Sequence, residues 1–221
     1  MSQRVKSNPK PAPKRRYDSS RRREQAAVTR RAILAAAQRL FERDGYPATS
    51  MAAVAREAGV AVKTVYLAFE TKSGLLRAVW HLLLRGDEDA APIGDRAWYR
   101  AVLEERDPVE KLRATAGMSV AVKTRAGALM EAIRTAAPVD PDAAELWGRI
   151  QADFLDNQRA IVESMAETGA LRPELDVDSA TDVLWTINHP STYWLLVGER
   201  GWSAERFGDW LAATFREQLL A

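Results

Sequence analysis

Residues 51–69 carry two short apolar stripes, each with the spacing of a helix face, separated by Ala58, Gly59 and Val60. Met51, Val54, Ala55 and Ala58 recur at i, i+3, i+4 and i+7, and Val62, Val65, Tyr66 and Phe69 repeat the pattern. Gly59 suits the turn between them, because a left-handed backbone carries no Cβ penalty there. Two short helices crossing at a Gly-containing turn make a helix-turn-helix, whose second helix can enter the DNA major groove. This pairing constrains the rest of the chain more than any other feature.

The flanks extend the same unit. A first helix is predicted from about Arg22 to Asp44, with Val28, Ile33, Leu34, Ala37, Leu40 and Phe41 as its core stripe and Gly45 ending it. Thr49 and Ser50 form an N-cap pair at the start of the second helix, where hydroxyls and free backbone N–H groups suit a DNA phosphate. A fourth helix from about Lys72 to Asp87 carries Leu75, Leu76, Val79, Trp80 and Leu83. Its apolar residues face both the preceding helices and whatever follows, which makes it the mechanical link. His81 reads as a surface or packing residue.

The order of apolar helix, G-Y-x-x-T-S, V-A-x-x-A-G-V, T-V-Y-x-x-F and K-x-x-L-L over about residues 28–80 resembles the DNA-binding region of the TetR family of repressors. That resemblance implies a recognition helix from about Val62 to Ala68. It places Lys63 and Thr64 at base edges or adjacent phosphates. Tyr66 would reach a phosphate through its hydroxyl or a thymine methyl through its ring, with core packing as the competing assignment. Lys72 corresponds to a lysine that holds backbone phosphate beside a helix N-terminus. Val65 and Phe69 belong to the core, and Arg56 is assigned to an exposed ion pair. One position departs from the family pattern: Ala61 stands where Ser or Thr is common, so the recognition helix lacks a side-chain cap worth about 0.5–2 kcal/mol.

Charge points the same way. Residues 1–86 hold 18 Lys and Arg against 6 Asp and Glu, whereas residues 87–221 hold 14 against 24. A basic first third on an acidic remainder suggests a polyanion partner for one end only. Residues 1–21, with Pro9, Pro11, Pro13, Arg15 and Arg16, are expected to be a disordered basic arm able to track phosphates. The absence of cysteine excludes disulfides, thiolate metal sites and cysteine nucleophiles. Two histidines, His81 and His189, leave little for a metal site or a catalytic triad. The expectation is a cytoplasmic protein that is not an enzyme, uses no metal or cofactor, and neither spans nor enters a membrane.

Pro92 and Gly94 interrupt the pattern near residues 87–95, so a domain boundary is placed there. Beyond it the chain stays helical: Pro108 opens a helix to about Thr124, a shorter one spans about Ala126 to Ala136, and Asp140-Pro141 starts a long one ended by Gly169. Asp178 caps a helix kinked by Pro190, and Ser203 caps the last. The apolar surplus of 178–197 and 203–220 predicts a four-helix interface between two copies. Six of the seven tryptophans lie beyond residue 87, material for an apolar pocket. Its candidate lining is Met118, Val122, Met130, Trp147, Phe154, Trp185, His189 and Tyr193.

The combined expectation is an all-α chain: an arm over 1–21, a helix-turn-helix DNA-binding domain over 22–86, and a helical ligand-binding and dimerisation domain over 87–221. By the family resemblance it acts as a homodimeric repressor of a palindromic operator in double-stranded DNA, released by an unidentified small apolar effector. The alternatives are a ligand-independent regulator and a nonspecific DNA binder on the same scaffold.

Overall fold

A computed structural model describes residues 17–86 and 96–221, with side chains from Arg21 onward. The expectations placed on residues 1–16 and on the boundary at 87–95 lie outside the described residues. Among the described residues ten α-helices follow in order: α1 Tyr17–Asp44, α2 Met51–Glu57, α3 Val62–Phe69, α4 Lys72–Arg85, α5 Ala97–Glu104, α6 Pro108–Ala136, α7 Pro141–Ala166, α8 Val177–Ile187, α9 Pro190–Tyr193 and α10 Ala204–Leu219. A π-helical turn, Trp194–Glu199, joins α9 to the segment before α10. Among the described residues there is no strand, only one isolated bridge between Leu171 and Leu220. No described helix is long and apolar enough to cross a membrane.

The first core lies under α1 to α4 and continues into α6 and α7. Ile33, Ala37, Phe41, Tyr46, Val54, Val65, Leu75 and Val79 pack in one cluster with Leu129, Ile133, Ala143 and Leu146. The helix-turn-helix unit therefore rests directly on the following helices. The second core, Leu112, Ile161, Leu184, Phe207, Leu211, Phe215 and Leu219, lies among α6, α7, α8 and α10. Burial of such side chains stabilises each cluster by roughly 1.5–3 kcal/mol per residue.

Several boundaries differ from the sequence expectation. Helix α1 begins at Tyr17 rather than Arg22 and so takes in the end of the expected arm. Val28, expected in its core stripe, is 48% exposed, because the early turns of α1 have no helix over them. Helix α6 is continuous where two helices were expected, since Lys123, Ala126, Leu129 and Met130 keep one buried face across the proposed break. Helix α5 went unread. The cap of α8 is Asp176, which accepts from the Ser179 N–H at 2.7 Å, and Asp178 sits in the first turn. Pro190 does not kink a helix: α8 ends at Ile187, and His189 caps the short α9 that Pro190 opens. A proline lacking an N–H is best placed at such a start.

Helix α10 also turns Phe207, Leu211, Phe215 and Leu219 inward against α6 and α8. Most of the apolar surplus that predicted an interface between copies is thus used within one chain. Trp194 and Leu195 remain exposed beside it, at 38% and 52%.

Candidate DNA-reading face and helical cavity

Between α2 and α3 the chain turns through Gly59 at φ +67, with the Val60 N–H bonded back to the Ala55 carbonyl at 3.0 Å. Eight residues of α3 bury Val65 and Phe69 and leave Val62, Lys63, Tyr66 and Leu67 exposed. Tyr66, at 49% exposure, therefore leaves the core stripe assigned to it and faces solvent with Lys63. Thr64 is half-buried. Ala61 makes no side-chain cap, as its methyl group dictates. Arg30 reaches from α1 to the other end of α3, donating to the Ala68 carbonyl at 3.2 Å and lying 4.3 Å over the Phe69 ring.

The expected capping pair separates into two roles. Ser50 caps α2, accepting from the Ala53 N–H at 3.1 Å. Thr49 is buried, and its hydroxyl bonds the Gly45 carbonyl at 2.9 Å, which closes the turn instead of meeting solvent. Lys72 opens α4. Its ammonium donates to the Tyr46 carbonyl at 3.1 Å and lies 4.2 Å over the Tyr46 ring, which fixes it beside the start of α2. Glu57 pairs with Arg39 at 3.0 Å rather than with Arg56, which stays exposed.

At its other end α4 lines a cavity of about 420 Å³. Trp80, His81, Leu84 and Arg85 come from α4, Trp98 and Tyr99 from α5, Met118, Ser119, Val122, Lys123 and Met130 from α6. Helix α7 adds Ile150, Asp153, Phe154, Asp156, Asn157 and Gln158, and the α8–α9 break adds Asn188 and Pro190. The walls are largely apolar, with a polar cluster at one end. There Lys123, 3% exposed, donates to Ser119 Oγ at 2.6 Å and to the carbonyl and Oδ1 of Asn188, each at 2.7 Å. Asn188 Nδ2 in turn donates to Gln158 Oε1 at 2.9 Å. Burial pulls the Lys123 amine down to about 7.

Residues 33–79 match the family described as bacterial regulatory proteins, tetR family. That stretch is a TetR-family DNA-binding region. It contains the helix-turn-helix of a transcriptional regulator. Over 196 residues the chain is 26% identical to a Pseudomonas putida protein described as "Probable HTH-type transcriptional regulator ArpR", covering 86% of this chain and 89% of that one. Among solved structures, the SmeT–triclosan complex is similar with a TM-score of 0.68 and 21% identity, over 88% of this chain and 92% of the other. A protein from Saccharomonospora viridis in complex with choline gives 0.67 and 18%, over 88% and 99%.

Of the pocket residues expected from the sequence, Met118, Val122, Met130 and Phe154 line the large cavity. Trp147 and Tyr193 lie instead at a small cleft of about 10 Å³, which Met130 and Lys123 share. Trp185 and His189 lie in neither lining. The His189 ring sits 4.9 Å from Trp185 and 6.4 Å from both Trp147 and Phe154, in an aromatic cluster behind the wall. Its Nδ1 accepts from the Ser191 N–H at 3.2 Å, which puts the neutral ring's proton on Nε2; Gln151 Nε2 lies 2.8 Å from that atom and Gln151 Oε1 is buried without a partner among the described residues, so the amide turned end for end accepts from the ring. Burial, then the Lys123 charge, lowers its pKa and keeps the ring neutral.

Sequence reasoning missed Leu67 on the reading face and Lys123, Asn188 and Gln158 in the cavity. Leu67 is 76% exposed although apolar, and an apolar residue off the helix stripe was its only signal.

Proposed function

We propose that this TetR-family regulator is a homodimeric repressor of a palindromic operator, released when a small molecule occupies the cavity of about 420 Å³. The observation that carries this reading is the course of α4. Its first residue, Lys72, is pinned beside the reading unit, and its last turns, at Leu84 and Arg85, form cavity wall. Arg125 of α6 donates to the Leu83 and Leu84 carbonyls at 3.2 and 3.3 Å and ties that end of α4 to the cavity helices. A ligand that displaces the wall tilts α4 and moves α3 with it. Release requires only that the ligand bind the two arrangements with different affinity.

In this reading Lys63 and Thr64 meet base edges or phosphates, Tyr66 and Ser50 meet the backbone, and Lys72 holds a phosphate. Thr49 supports them by closing the turn. Two copies paired through 178–197 and 203–220 set the recognition helices in successive major grooves. Exposed Trp194 and Leu195 support a contact on that side.

The test is a tryptophan-fluorescence screen of apolar and amphipathic molecules, followed by operator affinity in the presence of each binder. Trp80 and Trp98 line the cavity and report occupancy. A binder that lowers operator affinity supports the proposal. Sequence-specific DNA binding that no cavity ligand alters points to the ligand-independent regulator.

A further inference from the structure

Resting on the reading of the cavity as the effector site, we infer that its ligand is an amphipathic anion whose carboxylate or equivalent oxygen acid seats against Lys123, Ser119 and Asn188. The inference starts from an imbalance of charge. Lys123 is buried, and among the described residues every oxygen within hydrogen-bond reach of its ammonium belongs to a neutral group. The other buried lysine, Lys111, also donates to neutral oxygens, those of Leu103 and Ser164, but Glu105 and Glu167 lie close enough to favour its charged form. Among the described residues no such carboxylate acts on Lys123, where burial is the cause of its shift. A cation removed from water without a counterion is costly in a folded protein.

The cluster is also held in place. Asn188 is fixed by Gln158, and its carbonyl is available to Lys123 because α8 ends there, before His189 and Pro190. The three N–H of the Lys123 ammonium and the Ser119 hydroxyl are all engaged within the cluster, so an anion would take the place of a neutral Asn188 oxygen on the ammonium and supply the missing charge. Lys123, Ser119, Asn188 and Gln158 all belong to the cavity wall, so an entering ligand meets them. Beyond them Met118, Val122 and Phe154 offer an apolar course for a hydrocarbon or aromatic body. The carboxylates of Asp153 and Asp156 lie on exposed residues of α7, with the Asp153 charge near His81 rather than near Lys123. Together these features fit a molecule with one acidic end and one apolar end.

Three probes with the same hydrocarbon body test this: octanoate, 1-octanol and octylammonium, titrated by calorimetry against the full chain and against Lys123→Met and Asn188→Asp. Methionine keeps the volume of the lysine stem, and aspartate supplies an internal counterion at nearly unchanged shape. Octanoate is expected to bind the wild-type chain at least roughly tenfold more tightly than 1-octanol, as a charge-assisted pair would give. Both variants should lose that preference while still binding 1-octanol. Equal or tighter binding of 1-octanol or octylammonium by the wild-type chain would overturn the anion inference and leave the cavity reading standing. A preference for octanoate that persists in both variants would also overturn it, by placing the anion elsewhere. If none of the three probes binds any of the three chains, the anion inference and the effector reading of the cavity fall together.

Discussion

The ammonium of Lys72 lies 4.2 Å from the centre of the Tyr46 ring and 3.1 Å from the carbonyl oxygen of the same residue. One side chain thereby locks the first turn of α4 to the corner between α1 and α2. A cation over an aromatic face contributes about 0.5–1 kcal/mol at a partly exposed site. Lys72→Met should therefore lower stability modestly and weaken binding to all DNA sequences alike. Fluorescence anisotropy over a range of salt concentrations should show the log–log slope reduced by about 1. An unchanged slope would remove Lys72 from the phosphate contacts.

Leu67 and Lys63 share the exposed side of α3, and neither packs in the core. Leu67→Ala should leave thermal stability within about 0.5 kcal/mol of the parent. Lys63→Ala and Leu67→Ala should each change the preference among operator variants by roughly 1–3 kcal/mol at one base pair of each half-site. A competition assay across single-base operator variants reads this directly. Uniform weakening would make these contacts backbone contacts.

Two glycines in the reading unit are needed for different reasons. At Gly59, φ is +67 and the space around an added Cβ is empty, so Gly59→Ala should cost only about 1–2 kcal/mol of backbone strain. Gly74 lies where an added Cβ would collide with the Phe69 carbonyl oxygen and meet Thr71 Oγ1 at 3.2 Å. That oxygen belongs to the end of α3 and cannot swing away as a side chain would. Gly74→Ala should cost more, about 3 kcal/mol, and displace α3 relative to α4. Urea unfolding of the two variants orders them, and a smaller loss for Gly74→Ala would contradict the packing described.

Lys123 makes stability depend on pH. Its amine titrates at about 7 when folded against 10.5 in the unfolded chain. Between those values the unfolded chain holds a proton that the folded chain has released, so stability rises with pH across that window. Below about 7 both states are charged and the burial penalty is constant at its largest. Lys123→Met should stabilise the protein near neutral pH and remove a rise on the order of 4 kcal/mol between pH 7 and 10.5. Subtracting the two stability curves isolates this group from the tyrosines and other lysines. A flat difference would mean that Lys123 keeps an ordinary pKa.

The reading unit was legible because its apolar spacing is short-range. Val65 and Phe69 repeat at one turn, and Gly59 marks the turn without help from distant residues. The same periodicity misassigned Val62 and Tyr66, since α3 is too short for the pattern to separate two adjacent stripes. Helix α6 was divided near Arg125, but the buried face continues through Lys123, Ala126, Leu129 and Met130. The polar cluster was invisible for a different reason. Lys123 in V-A-V-K-T-R reads as surface, and the helix end at Asn188, 65 residues away, supplies two of the three oxygens that let it be buried. Burial of a charge is a tertiary fact, and local sequence carries no trace of it.

A dimer that presents two copies of α3 to DNA should read one specific operator. Selection of bound fragments from random and genomic DNA by the purified protein at physiological salt tests it most directly. The account predicts an enriched palindromic motif whose half-sites lie about 10 base pairs apart or a multiple of that spacing. Tight binding at low salt with no enriched motif would contradict it and leave a nonspecific DNA binder on the same fold.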